Sequence, residues 1–355
     1  PLTGITNFVL KDAAPGRPLT RVMAGGGSYG TSAGKFFHQN GDKRFSYFFG
    51  GAYERSDYAD YGTSNSWLNI LRDPGYSKRS TYANLSYRFG AGQKVSVFAN
   101  RTVHTGDAGR PNRDFDHGYD TLNFAYANQI GDRLNIQLKA GYRGYDRYWG
   151  EDNFPADLGL KNHGGVRQKI MPFDFSVNYK HSGESLLTFG MDSQFARYKT
   201  YTETPAGAGA VDVDMSSVSR GLFIQEKYVR DKWVLRAGGR VNRTEHSYDT
   251  INGAAPAGDP KRSWRRPLWS FGARYNKSAR LAFYANTGTS FVAPSAKQIW
   301  GTPGGQLANP AISEETGTGS DFGAEWKPDS KTTAGMRLLV NELDNAIIDN
   351  VISRN

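Results

Sequence analysis

The sequence predicts an all-β chain folded as a transmembrane antiparallel β-barrel. Three observations carry the prediction. Side chains alternate with period two through most of the chain, tight and long connections alternate between strands, and aromatic residues recur beside one set of turns.

The alternation is clearest in the middle of the chain. In 134–142, Leu134, Ile136, Leu138, Ala140 and Tyr142 interleave with Asn135, Gln137, Lys139 and Gly141. In 173–180, Phe173, Phe175, Val177 and Tyr179 interleave with Asp174, Ser176, Asn178 and Lys180, and Leu122, Phe124 and Tyr126 repeat the pattern at 122–126. Similar runs fall at 45–53, 83–89, 187–195, 233–241 and 281–287. Period two puts alternate residues on opposite faces of a strand, and no long run with helical period competes. Tight-turn signals join pairs of runs: Gln39–Asp42, Gly90–Gln93, Gly131–Asp132, Ser182–Glu184, Arg230–Asp231, Asn276–Ser278 and Pro328–Ser330. Longer polar segments near 56–77, 104–118, 147–165, 200–214, 246–263 and 292–314 join the pairs to one another. One end of the sheet therefore carries tight turns and the other long loops, as in barrels of the outer membrane. Tyr87, Phe89, Tyr179, Tyr228, Trp233, Tyr275 and Trp326 sit beside the tight turns, where an interfacial aromatic girdle belongs. The expected spanning strand is ~9–11 residues long.

Composition agrees. The 355 residues include 42 Gly and no Cys, aromatics make up 13%, and mean hydropathy is −0.62. Without cysteine there is no disulfide scaffold and no Cys-ligated zinc or iron–sulfur site. The aromatic content argues against disorder, and no apolar run is long enough for a membrane helix. A barrel keeps a polar average because only alternate residues meet lipid. A soluble propeller would need a recurring blade motif, and none is present. Lys plus Arg exceeds Asp plus Glu by 44 − 34 = +10. That balance points to an anionic partner, the alternative being that the cations solvate loops and lumen. No nucleic-acid-binding motif accompanies it.

The chain begins at Pro1 without a secretory leader and ends at Asn355, and it reads as a piece of a longer protein. Counting alternating runs gives about fifteen strands.

Two segments carry a family resemblance. Ser290-Phe291-Val292-Ala293-Pro294, then Asn309-Pro310-Ala311-Ile312-Ser313-Glu314-Glu315-Thr316, then a strand ending in Leu343-Asp344-Asn345-Ala346-Ile347, resemble the "SFRAP … NPxLxPET … IxNxI" run of TonB-dependent outer-membrane receptors. Val292 and Glu314 depart from that pattern, while Glu315 and Thr316 match it. The opening Gly4–Lys11 resembles the segment that ends the plug of such receptors. The resemblance implies a plug-filled barrel of about 22 strands. On that basis 1–12 is the end of a plug and 13–355 a partial barrel lacking about seven C-terminal strands, an open edge that lipid does not satisfy. It further implies a cell outer-membrane importer, not an enzyme. The cargo is a scarce nutrient, above all a ferric siderophore, and the energy comes from the TonB complex. A passive porin without a plug is the alternative.

Candidate ligand residues come from segments expected to be extracellular loops. Arg143, Tyr145, Arg147, Tyr148 and Trp149, followed by Phe154, form the richest cluster, and Arg110, Arg113 and His117 form a second. Tyr58, Tyr61 and Trp67 form a third, aromatic group. Aromatic faces and guanidinium groups suit planar or anionic ligands. Packing within girdle and loops is the alternative role for any single one of them. Ser290, Phe291, Ala293, Pro294, Asn309, Pro310 and Glu315 are motif positions. The six histidines show no HxxxH or HExxH spacing, so no catalytic metal site and no cofactor is expected. Haem-importing members of the family this chain resembles often carry a histidine between the two motif segments; none occurs here, so the resemblance implies a cargo other than haem. Asp212 and Asp214 read as solvated acids rather than calcium ligands. Gly25–Gly30 fits GxGxxG and GxSxG on paper but lacks a following helix, and it reads as the end of the first barrel strand.

Overall fold

The computed structural model describes residues 16, 18–57, 75–107, 114–151, 162–204, 209–251, 253–255, 259–301 and 306–348. They form strands β1 (Leu19–Gly27), β2 (Thr31–Gly41), β3 (Phe45–Asp57), β4 (Gly75–Arg88), β5 (Gln93–Asp107), β6 (Asp114–Ile130), β7 (Leu134–Glu151) and β8 (Asn162–Ser182). Strands β9 (Ser185–Glu203), β10 (Gly209–Arg230), β11 (Trp233–Ile251), β12 (Lys261–Asn276) and β13 (Leu281–Val292) follow. A short helix α1 (Ala296–Trp300) precedes β14 (Glu315–Trp326) and β15 (Ala334–Asp344). The strands neighbour one another in chain order within one sheet of 15 strands. Every pairing whose register is described is antiparallel, among them β3 with β4 and β13 with β14. Among the described residues no helix is long and apolar enough to cross a membrane, so any crossing falls to the strands.

The strands run longer than expected. β8 has 21 residues and β10 has 22. Hairpin arms go on pairing beyond any apolar band, because each further pair satisfies one strand's N–H and C=O groups with the other's. Four of the expected loops shrink accordingly. The connection placed at 104–118 lies between Asp107 and Asp114, and that at 147–165 between Glu151 and Asn162. Those at 200–214 and 246–263 shrink to the gaps between Glu203 and Gly209 and between Ile251 and Lys261. The connections expected at 56–77 and 292–314 lie close to their predicted bounds. β1 ends at Gly27 and turns tightly through Ser28–Gly30 into β2, so the glycine run is a strand end.

Two compact units make up the fold. The first consists of Pro1–Asn128, Ala140–Arg167 and Thr202–Gly209, the second of Gln129–Lys139, Gln168–Tyr201 and Ala210–Asn355. Within the first, the register of β3 and β4 sets Phe45 opposite Tyr87, Tyr47 opposite Leu85 and Phe49 opposite Ala83 on one face. Ser46 opposite Ser86 and Phe48 opposite Asn84 occupy the other, where Ser46, Ser86 and Asn84 are buried. Within the second unit, Trp233 faces Tyr275 and Tyr275 faces Phe283, and the Trp233 and Tyr275 rings lie 4.7 Å apart. Leu222, Ile224, Phe271 and Phe322 on that face are exposed. The buried apolar residues are few, Ile299 and Trp264 among them. Serine and asparagine buried while Phe, Leu and Trp are exposed is the pattern of a lipid-facing wall, not of a water-soluble sheet.

The tight turns are held by short side-chain acceptors. Asp42 Oδ1 accepts the Arg44 and Phe45 N–H groups at 2.7 Å each, and Asp329 Oδ1 accepts those of Lys331 and Thr332 at 2.8 Å each. The Phe45 and Arg44 amides hold the Asp42 carboxyl below its usual range, and the Lys331 and Thr332 amides do the same for Asp329. The β10–β11 turn places Asp231 at φ 53°, the left-handed conformation a two-residue hairpin loop requires.

The connection from β13 to β14 folds back on the second unit. Pro294 is fully buried. Ser295 caps α1, sharing Gln298 in a capping box. Ile299 is buried, and Trp300 packs 4.6 Å from Tyr248. The Asn309 N–H donates to the Gln298 carbonyl at 3.1 Å, Arg262 donates to the Ile312 carbonyl at 3.0 Å, and Arg266 pairs with Glu314. Glu315 Oε2 accepts the Ile347 N–H at 3.3 Å. The motif residues thus hold the connection in place. Glu314, where the sequence departs from the pattern, supplies its ion pair.

Two predictions follow from this packing. A Cβ at Gly190 would lie 2.4 Å from the Phe175 carbonyl oxygen and 2.7 Å from Phe223 Cζ, whereas one at Gly34 meets nothing within 4 Å. Gly190→Ala should lose about 1–3 kcal/mol in urea unfolding from lipid vesicles, and Gly34→Ala less than about 0.5. Equal effects would contradict the packing. Arg266→Met strands the Glu314 carboxylate, with its side chain 14% exposed, at a cost of about 1–3 kcal/mol. Limited proteolysis should then cut the 293–314 connection at lower protease concentration than in the parent protein.

Candidate functional site

The loop-side ends of β2 to β7 in the first unit carry the site. Alternation fixes its members. The β3–β4 register that sends Phe45 and Tyr87 to the apolar face sends Glu54, opposite Lys78, to the polar face. Lys78 in turn faces His104 on β5, His104 faces His117 on β6, and Thr102 faces Tyr119. Lys35 on β2 reaches the same face opposite Ala52. Lys35, Glu54, Lys78, Ser80, His104 and Tyr119 line a cleft of about 510 Å³.

Rings cover one wall of this surface. Tyr76 donates to Glu54 Oε1 at 2.8 Å and meets His104 edge-on at 5.6 Å. Phe115 lies 5.0 Å from His104 and 4.9 Å from His117, which are themselves 6.1 Å apart. Tyr145 on β7 stacks on Tyr119 at 5.0 Å and lies 6.3 Å from His117. The Arg147 guanidinium covers Trp149 at 4.6 Å. Such a wall offers stacking faces and cations to a planar, anionic ligand.

Several cations of the second unit pair with carboxylates across strands. Arg240 grips both oxygens of Asp192 at 2.6 and 2.8 Å, Arg274 and Lys327 share Glu325, and Arg337 pairs with Asp321 at 3.2 Å. In the cleft, neither Lys35 nor Lys78 has an ion-pair partner among the described residues. With two lysines against the single carboxylate of Glu54 among its described lining residues, the cleft keeps a net positive charge toward an entering anion.

The structure sorts the residues singled out in the sequence. His117, Tyr145, Arg147 and Trp149 share the polar face, but as parts of strands β6 and β7 rather than of loops. Tyr148 points the other way and stacks on His163 at 5.0 Å. Arg143 spends its guanidinium on the Leu122 and Tyr142 carbonyls. Arg110, Arg113, Tyr58, Tyr61, Trp67 and Phe154 lie outside the described residues, as does the Gly4–Lys11 segment. Asp214 is a buried partner of Arg197, bound through both oxygens at 2.8 Å, and not the solvated acid expected. Tyr76, Lys78, His104, Phe115 and Tyr119 were not singled out as ligand residues. The hairpin that sets Asp107 opposite Asp114 also sets His104 opposite His117, and centring the β5–β6 hairpin there would have exposed the pair. Among the described residues, no three His, Asp or Glu side chains gather as a metal site.

Comparison with known proteins agrees with this architecture. The family described as TonB dependent receptor-like, beta-barrel matches residues 25–354. No curated protein sequence matches the chain. Among solved structures, the copper transporter OprC is similar at a TM-score of 0.73 and 16% identity, over 94% of this chain and 55% of its own. The FrpB iron transporter from Neisseria meningitidis (F3-3 variant) is similar at 0.68 and 15%, over 92% and 55%. The hemophore receptor HasR of Serratia marcescens, in complex with its hemophore HasA and heme, is similar at 0.70 and 15%, over 94% and 56%. At these identities the likeness is one of fold, and this chain spans a little over half the length of each. The chain belongs to the TonB-dependent receptor-like β-barrel family and is an outer-membrane protein of a Gram-negative bacterium.

Proposed function

We propose that the intact protein imports a ferric siderophore, or a chelate of similar charge, across the outer membrane with energy from the TonB complex. The observation that carries this reading is the polar-face cleft. It combines two cations without ion-pair partners, Lys35 and Lys78, with the stacked Tyr119 and Tyr145 rings. Ferric siderophores are commonly anionic and carry planar donor groups, which suits both features. The structural neighbours include transporters of copper and iron and a receptor for a heme-carrying hemophore, so metal cargo is common ground among these three.

In this reading 1–12 is the end of a plug and 13–355 part of the barrel wall. The plug and TonB contact belong to chain outside this segment, and lipopolysaccharide surrounds the loop-side rim. The protein acts by binding and release, without a catalytic step.

Uptake of radioactive iron on candidate siderophores, measured in iron-starved cells expressing the intact gene, tests the reading. Uptake should stop when TonB is deleted, and Lys78→Gln should weaken siderophore binding by about tenfold, or ~1.4 kcal/mol. Uptake that continues without TonB would instead favour a passive pore.

A further inference from the structure

We propose that Arg220, Arg243 and Arg265 form an outward-facing site for the phosphates of lipid A, the membrane anchor of lipopolysaccharide, and that it binds them without a bridging divalent cation. The proposal gives a site to the lipopolysaccharide that the reading above places around the loop-side rim. It rests on that placement and not on the identity of the cargo.

The three arginines form one row across three strands. Arg220 on β10 is the direct partner of Arg243 on β11, and Arg243 is the direct partner of Arg265 on β12. Period two puts them on the face that carries Leu222, Val241 and Trp269, and all three are exposed. With neighbouring strands ~4.8 Å apart, the row is roughly 10 Å from end to end. Like charges directly opposite one another repel, so the row costs stability unless an anion lies over it. The chain offsets only part of that charge. Arg243 pairs with Glu245 at 3.3 Å, whereas the Arg220 and Arg265 guanidinium groups have neither an ion pair nor a hydrogen bond among the described residues.

The level of the row identifies the anion. Trp233 and Tyr275 mark the tight-turn boundary of the apolar face, and Arg243 and Arg265 each lie ten residues from them along β11 and β12. At ~3.3 Å per residue and a strand tilt of ~40°, that separation projects to roughly 25 Å along the membrane normal. This is the height of the apolar band of an outer-membrane barrel, ~25 Å. Between the two levels the outward positions of β11 and β12, Leu235, Val241, Phe271 and Pro267 among them, carry no charge. On β10, Glu226 is the one charged outward position over the same span, and it pairs with His181 at 2.8 Å. The tight turns face the periplasm, so the row meets the outer leaflet. The lipid of that leaflet is lipopolysaccharide, whose lipid A phosphates lie where acyl chains meet sugars. Guanidinium forks bind phosphate oxygens bidentately. Divalent cations otherwise hold such phosphates together, and here the protein supplies the positive charge itself.

The test uses the intact receptor in detergent micelles, bisphosphorylated lipid A as the probe, EDTA in the buffer, and native mass spectrometry to count bound lipid. The parent protein should retain lipid A. The triple variant Arg220→Gln, Arg243→Gln, Arg265→Gln should bind it at least tenfold more weakly. Lysine at the same three positions keeps the charge and should restore most of the binding. Arg230→Gln, which changes an exposed arginine at the tight-turn end of β10, should leave binding unchanged. Lipid A stripped of its phosphates tests the contact on unaltered protein and should bind as weakly as the glutamine variant does to the intact lipid. Undiminished binding in the glutamine variant, equal binding of the stripped lipid, a requirement for magnesium, or equal displacement by phosphatidylglycerol would overturn the site. Iron uptake by the parent protein that continues without TonB would overturn the transport reading and leave this site standing.

Discussion

A strand in hydrocarbon has no water to satisfy its amide groups, so every N–H and C=O must pair with a neighbouring strand. The rest of this structure depends on that constraint. It demands continuous antiparallel ladders, such as the one running from Met215 and Tyr248 down to Arg230 and Trp233. Once the ladders are fixed, the pleat decides the face of every side chain. Within the apolar band, aromatic and aliphatic residues meet lipid, and serine, asparagine and most charged residues turn to the other side. Hydrophobic burial, which organises water-soluble proteins, contributes little here, and the buried set includes Ser46, Ser86 and Asn84.

The same ladders build the candidate site. Lys78, His104 and His117 belong to three strands and come together because two registers bring them into line. None of them is placed by a loop. The pairing that satisfies the backbone continues past the apolar band and carries the candidate surface outward on strands. Cross-strand ion pairs such as Arg240–Asp192 occur on the second unit, while Lys35 and Lys78 in the cleft of the first have no ion-pair partner among the described residues.

Much of this was legible in the sequence. The period-two runs, the tight-turn residues and aromatics such as Trp233 and Tyr275 are local signals, and local chemistry fixes them. The motif at 290–316 was legible as a motif, but not as a clamp, because its partners Tyr248, Arg262 and Arg266 lie on other strands. Loop bounds were misread because polar composition does not distinguish a loop from a strand that has left the membrane. That is why Tyr145 and Arg147 were expected in a loop. Tyr148 was grouped with them although one residue's shift reverses the face. His104 went unmatched to His117 because sequence spacing hides cross-strand contact.

The central claim is that the polar face of β4 to β7 is the wall the cargo touches. This chain contains no cysteine, so an added thiol reports one position against the parent protein. The most direct measurement is labelling of Tyr119→Cys and Leu122→Cys in the intact receptor in whole cells, with a water-soluble maleimide, with and without ferric siderophore. Tyr119→Cys should label readily and be protected by the cargo, and Leu122→Cys, on the lipid face, should label poorly in either case. Equal labelling of the two, or labelling at Tyr119→Cys that every bound siderophore leaves unchanged, would contradict the account.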